Sequence, residues 1–231
     1  MNLKSFGCSF IYGSELSDSI ADSNNLRPSQ LTWPAHLAQF LGYDYETHAR
    51  PGAGNLQIAE RVLSHAATSA NNFFVIGWTW TDRFDLWDPA GDSRHFSDDD
   101  LWFKWSTIVP SDNSNLAKNY YRDLQSAYRD KLTTLITVRL VIDTLRQKSI
   151  PFIMTYMDKL MFDQEWHTTP AVTDLQAYIQ PYMTTFDGQN LLDWSRQQGY
   201  PVSDLWHPLD LAHRAAGDYI INVVNEEISH H

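Results

Sequence analysis

The segment Leu3-Lys4-Ser5-Phe6-Gly7-Cys8-Ser9-Phe10 opens the chain as a short strand that ends at a glycine and runs into a serine. Similar short apolar runs recur along the chain, and amphipathic stretches separate them. This alternation is typical of a parallel sheet with helical crossovers. Ligands of such sheets gather at the carboxyl ends of the strands, so Ser9 is a candidate functional residue. Serines after strands also cap helices and turns, so the position alone does not establish chemistry.

The remaining elements follow from periodicity and from stop signals. We expect strands over 43–49, 73–77 and 151–156, and helices over 33–41, 55–70, 116–148 and 209–228, the third of these long enough to be broken. Two irregular, aromatic-rich segments, 78–115 and 158–170, interrupt the pattern as insertions. The prediction is one α/β domain spanning 1–231, a three-layer α/β/α sandwich with a short central parallel sheet.

The composition narrows the function classes. The formal net charge of -11 argues against non-specific binding to nucleic acid or to an anionic membrane, because both would repel the protein. Cys8 is the single cysteine, which excludes an internal disulfide framework. No signal peptide or transmembrane segment is evident, so we expect a protein that is cytoplasmic or otherwise soluble. The oligomeric state is not predictable from the sequence.

A second candidate lies near the C-terminus, in Asp204-Leu205-Trp206-His207-Pro208. A serine hydroxyl needs a base to become a nucleophile, and histidine has a suitable pKa for that role. A carboxylate on the other ring nitrogen would fix the tautomer, and three residues of separation allow Asp204 to reach His207. The same pattern also fits a helix N-terminus, with Asp or His as the cap and Pro208 in the first turn.

Together, the two motifs resemble those of the SGNH/GDSL hydrolases. Gly7-Cys8-Ser9-Phe10 resembles the first block of that family, with Cys8 in place of the usual aspartate, and Asp204 to Pro208 resembles the last block. The resemblance implies a flavodoxin-like SGNH fold, an esterase or deacylase activity and no cofactor. It also implies Ser9 as nucleophile, His207 as general base and acid, and Asp204 as the orienting carboxylate. His213, six residues further on, is interpreted as structural.

The resemblance also implies an oxyanion hole built from Ser9 and from residues after the second and third strands. Gly52, in the Gly52-Ala53-Gly54-Asn55 turn, is our candidate backbone donor, and Gly54 is the fallback. The family has an asparagine after the third strand, whereas this chain has Thr79 in Gly77-Trp78-Thr79-Trp80. Either Thr79 donates through its hydroxyl, or Asn55 takes that part, or backbone donors suffice.

The expected substrate is a small-molecule or carbohydrate ester with a short acyl group. Trp78, Trp80 and Arg83 are candidate substrate contacts, although tryptophans more often fill cores and Arg83 fits a surface ion pair with Asp82 or Asp85. Histidines are scattered without ligand spacing, so no metal is expected. Two alternatives stay open: a catalytically weak or inactive glycan-binding protein on the same fold, and a transferase in which an alcohol intercepts the acyl-enzyme.

Overall fold

The computed structural model describes residues 1–19, 27–68, 71–87 and 105–229. The strands in these ranges are β1 (Asn2–Phe6), β2 (Asp44–Thr47), β3 (Asn72–Trp78), β4 (Phe84–Trp87), β5 (Trp105–Ile108) and β6 (Phe152–Tyr156). The α-helices are α1 (Ser9–Tyr12), α2 (Trp33–Leu41), α3 (Asn55–Thr68), α4 (Asn115–Asp123), α5 (Ala127–Gln147), α6 (Pro170–Ile179), α7 (Leu191–Gln197) and α8 (Asp210–Ser229).

Four parallel strands form the central sheet in the order β2-β1-β3-β6. In the β1 register, Ser5 lies opposite Thr47 on one side and Val75 on the other. Because all four strands run in the same direction, the residues that follow β1, β3 and β6 meet at one edge of the sheet. Ser9 and Thr79 therefore share an edge although seventy residues of sequence separate them.

Alternate side chains of the strands pack into separate cores on the two faces of the sheet. Phe74 and Ile76 of β3 point towards α3, α5 and α6, where they are fully buried. Val75 points to the other face, into the core formed with α2 and α8. This pattern gives the three α/β/α layers that the sequence predicts, and the fold class is confirmed.

Local cap signals fix α2 as expected. Its N-cap Thr32 accepts a hydrogen bond from Ala35 N–H, and Gly42 ends the helix in the left-handed conformation. The expected helix over 116–148 is two helices, α4 and α5, because Ser126 caps a new start.

The two insertions are more ordered than predicted. Strands β4 and β5 pair antiparallel, so 78–115 is not irregular throughout, and a 3-10 turn over Lys159–Met161 lies in the second insertion. Helices α6 and α7 were not predicted, although Thr169 before Pro170 and Asn190 are N-caps that could have revealed them. Short strands paired across a long stretch of chain leave little local signal, which explains the error over β4 and β5.

Two glycines allow α1 to lie against the ends of β1 and β3. A Cβ at Gly7 would stand 2.5 Å from Ile11 Cγ1, and one at Gly77 would stand 2.6 Å from the same atom. Ile11 fills the space that both glycines leave empty, and this contact holds the start of α1, with Ser9, over the sheet edge.

Two histidines, the buried His213 and the half-buried His48, are held neutral by their surroundings. His213 of α8 is 1% exposed, and its Nδ1 accepts the Trp33 N–H at 3.2 Å. Burial, and secondarily the charge of nearby His36, lowers the pKa of His213 to about 3. Burial, and secondarily His65, lowers the pKa of His48 to about 4. His213 is structural, as predicted, because it ties α8 to the first turn of α2.

These histidines should make the protein acid-sensitive. In the unfolded chain a histidine binds a proton near pH 6.5, whereas the folded protein resists protonation until pH 3 to 4. The stabilisation is therefore complete above pH 6.5 and is lost as the pH falls, by up to about 1.4 kcal/mol per pH unit for each histidine. Urea unfolding at several pH values between 7 and 4 measures how steeply the free energy of unfolding falls with pH.

His213→Gln is the matched variant, since its amide oxygen can still accept the Trp33 N–H. We expect a shallower fall in the free energy of unfolding than in the wild type. Equal slopes in the two proteins would show that His213 does not contribute to acid sensitivity.

No helix within the described ranges is both long and apolar enough to cross a bilayer.

Candidate active site

The serine and histidine of the two sequence motifs lie together at the carboxyl edge of the sheet. Ser9 is the first residue of α1, and its Oγ lies 2.9 Å from His207 Nε2. His207 belongs to the loop that precedes α8, and the pairing of Val202 with Pro208 closes that loop. Ser9 is 7% exposed, so its hydroxyl reaches solvent only at the site itself. A histidine at this distance can accept the serine proton.

The carboxylate on the other nitrogen of His207 belongs to Glu15. Glu15 Oε2 lies within hydrogen-bonding distance of His207 Nδ1. The structure thereby corrects the prediction that Asp204 orients the imidazole, because Asp204 is exposed and has no hydrogen bond to His207. The cause is the turn over 203–207, where Trp206 adopts a positive φ of 68° and donates its N–H to Ser203 O at 2.9 Å.

Ser203 forms hydrogen bonds with both Glu15 and His207. Its hydroxyl donates to Glu15 Oε2 at 2.6 Å and accepts the His207 N–H at 3.1 Å. Its own N–H donates to His207 O at 2.9 Å. Burial alone would raise the pKa of Glu15, but the hydrogen bonds from Ser203 and His207 outweigh it and hold this pKa below its ordinary value. Glu15 is therefore ionised at neutral pH. Neither Glu15 nor Ser203 was predicted from the sequence.

The fallback oxyanion donor Gly54 is not available. Its N–H donates to Asp85 Oδ1 at 3.0 Å, and Gln57 N–H donates to Asp85 Oδ2 at 2.9 Å. Asp85 of β4 thus caps the start of α3 and fastens the β4–β5 hairpin there. Gly52, in contrast, is exposed at a φ of 82° with open space around it, and it stays our predicted backbone donor.

The Asn55 side chain is also engaged. Its Oδ1 accepts the Thr79 N–H at 2.8 Å, and its Nδ2 donates to Thr79 O at 3.2 Å and to Trp80 O at 3.4 Å. These three hydrogen bonds hold the backbone that follows β3, so the Asn55 side chain is not free to turn towards Ser9. The Thr79 hydroxyl is buried and has no hydrogen-bond partner among the described residues. Thr79 as a donor stays a prediction.

Of the predicted substrate contacts, Trp78 lies in the core and Trp80 lies near the site. Trp78 is fully buried on the α3 and α5 side of the sheet. The half-buried ring of Trp80 meets Phe10 edge-on with 5.6 Å between ring centres, and the Phe10 ring centre lies 5.3 Å from that of His207. The Trp80 ring, backed by the buried Phe10, therefore forms the aromatic wall of the site.

Arg83 extends this wall. Its guanidinium lies 4.9 Å from the centre of the Trp80 ring, and its Nη1 donates to Ala53 O at 2.9 Å. The expected ion pair with Asp82 or Asp85 does not form in this part of the structure. Across the described ranges, no group of three or more His, Cys, Asp or Glu side chains could hold a metal ion.

No protein-family model and no curated protein matches the sequence. Solved structures do match. An esterase from the genus Pseudoalteromonas has a TM-score of 0.54 at 8% identity, with 99% of this chain and 98% of that chain covered. A member of the lipolytic protein G-D-S-L family from Veillonella parvula has a TM-score of 0.50 at 12% identity, with 96% and 97% covered. An acetyl xylan esterase from Butyrivibrio proteoclasticus has a TM-score of 0.50 at 11% identity, and the chain spans 64% of its length. The chain therefore has the SGNH/GDSL hydrolase fold.

Proposed function

We propose that this chain, on its SGNH/GDSL hydrolase fold, is a serine esterase that removes a short acyl group through an acyl-serine intermediate. The observation that carries the proposal is the continuous contact from Ser9 Oγ through the His207 ring to Glu15. This arrangement supplies a nucleophile, a base and an orienting carboxylate in the order that acyl transfer requires. A capping serine with a solvated histidine would not need a carboxylate on Nδ1.

In the proposed reaction Ser9 attacks the ester carbonyl while His207 Nε2 takes its proton. Glu15 stabilises the imidazolium and keeps Nδ1 protonated, and Ser203 holds both partners in place. The N–H groups of Ser9 and Gly52 donate to the oxyanion, with the Thr79 hydroxyl as a third donor. His207 then protonates the leaving alcohol, and an activated water releases the acid and frees Ser9.

The proposed substrate is a carbohydrate ester, such as an O-acetylated sugar. Trp80 is half-buried beside the buried Phe10, which contacts the His207 ring, so the Trp80 ring can pack against a sugar near His207. The net charge of -11 disfavours anionic substrates and surfaces. A solved structure of similar fold is named an acetyl xylan esterase, which agrees with this choice.

One observation favours a second candidate, a glycan-binding protein with weak or no turnover. The third oxyanion donor of the family is an amide, whereas here the position carries Thr79, whose hydroxyl is buried away from solvent. Loss of one such donor costs about 100- to 1,000-fold in rate. A protein with this deficit could keep the site for recognition.

Ester hydrolysis and covalent labelling separate the two candidates. We expect the wild type to hydrolyse p-nitrophenyl acetate faster than the butyrate and octanoate. A fluorophosphonate probe should add one label, which peptide mass spectrometry should place on Ser9, because His207 activates only that hydroxyl. His207→Ala should lose the label. A protein that neither hydrolyses these esters nor reacts with the probe would instead be the binding protein.

A further inference from the structure

Two cavities that share lining residues form a groove beside the segment that follows β3. One cavity of about 170 Å³ lies between the β4–β5 hairpin and α5, with Arg83 in its wall. A second cavity of about 170 Å³ shares Thr81 and Asp130 with the first and ends at Trp166. Arg83 lies in the wall of the first cavity and stacks on Trp80, so this end of the groove lies next to the aromatic wall.

The far end of the groove presents a rigidly held tryptophan to solvent. The Lys131 ammonium, 3% exposed, donates to Asp163 O at 2.6 Å and to Trp166 O at 2.8 Å. The Asp163 carboxylate accepts the N–H groups of Glu165 and Trp166 at 2.9 and 2.7 Å. Yet the Trp166 ring is 49% exposed. The loop is thus fixed by buried polar contacts while its largest apolar side chain stays uncovered, which suits a preorganised binding surface.

A carboxylate without a partner side chain lies in the same cavity. Asp82 accepts a hydrogen bond from its own backbone, and no other described side chain hydrogen-bonds to it. Burial, and then the neighbouring Asp158, raises the pKa of Asp82. Asp158 is itself satisfied, because it accepts from Thr81 and from Leu160 N–H. Among the described residues, no other side chain uses the remaining acceptor capacity of Asp82.

We propose that this groove is a carbohydrate subsite, in which a sugar ring stacks on Trp166 and one of its hydroxyls donates to Asp82. The aromatic face and the carboxylate match the apolar face and the hydroxyl rim of a pyranose. A purely apolar ligand would leave Asp82 desolvated without a partner. The subsite rests on the proposed function, since it holds the carbohydrate whose ester reaches Ser9.

The kinetic test compares a substrate that reaches the subsite with one that does not. For acetylated xylotriose, Trp166→Ala and Asp82→Asn should each raise KM about tenfold, the loss typical of a central aromatic or polar contact. For p-nitrophenyl acetate, both variants should stay within twofold of the wild type. Trp87→Ala is the matched control, because Trp87 is similarly exposed, at 47%, but lies outside the two cavities.

A binding measurement keeps the subsite testable if the protein is not an esterase. Calorimetry with unmodified xylotriose and cellotriose should detect binding to the wild type that is weakened about tenfold in Trp166→Ala and retained in Trp87→Ala. Absence of ester hydrolysis with this pattern of binding would refute the esterase and keep the subsite. The absence of saccharide binding at millimolar concentration, or equal effects of Trp166→Ala on both esters, would overturn the subsite.

Discussion

A Ser9→Ala variant should lose about 10⁵- to 10⁶-fold in kcat on p-nitrophenyl acetate, the loss seen when a serine hydrolase is deprived of its nucleophile. The effect is large because Ser9 Oγ, 2.9 Å away, is the one hydroxyl within the described ranges that hydrogen-bonds to His207 Nε2. Residual turnover would come from the oxyanion donors and from binding alone. Steady-state rates measured at several enzyme concentrations separate the residual turnover of the variant from background hydrolysis of the ester.

Ser14→Ala is the matched control, since Ser14 lies in the same segment and its side chain makes no hydrogen bond to any residue that the structure describes. It should keep wild-type kcat, and both variants should unfold at the wild-type temperature within about 2 °C, because neither removes buried apolar surface. If Ser9→Ala retained the wild-type rate, the nucleophile would have to be sought elsewhere.

Glu15→Gln should lower kcat by about 10³- to 10⁴-fold, whereas Asp204→Asn should change it by less than twofold. The amide of glutamine cannot stabilise the imidazolium, and its NH₂ group would favour the wrong tautomer of His207, an effect of this size in a serine protease. Asp204 is exposed and makes no contact with the imidazole, so its replacement leaves the site intact. The measurement is kcat on p-nitrophenyl acetate across pH 5 to 9.

The two substitutions control for each other, because each removes one negative charge beside the same loop. A large loss in Asp204→Asn together with a mild one in Glu15→Gln would reverse the assignment and restore Asp204 as the orienting acid. Equal large losses would indicate that the charge near His207 matters more than the contact.

The elements of the fold were predictable where the signal is local. Thr32 and Gly42 delimit α2 by their own conformational preferences, and the apolar run over 73–77 marks the buried central strand. The arrangement of helices on both faces follows from the alternation of strand and helix. These cues need no knowledge of distant parts of the chain.

The site was only partly predictable, because its decisive contacts are distant in sequence. Asp204 is three residues from His207, so a local pattern favours it, whereas Glu15 is 192 residues away and no periodicity links the two. The same holds for Asp85 of β4, whose carboxylate accepts the Gly54 N–H although the two residues lie in different parts of the fold. Ser9 and His207 could be proposed because Ser9 follows β1 and His207 precedes α8, two elements that the sequence marks clearly.

The position of Glu15 changes how this site can vary over evolution. The proposed nucleophile and the proposed acid belong to one continuous peptide of seven residues, so any duplication or recombination that carries Ser9 carries Glu15 with it. In this proposal the C-terminal motif has to supply only the histidine. We therefore expect that selection for catalysis does not act on Asp204, and that homologues with a different residue at position 204 are as active as this protein.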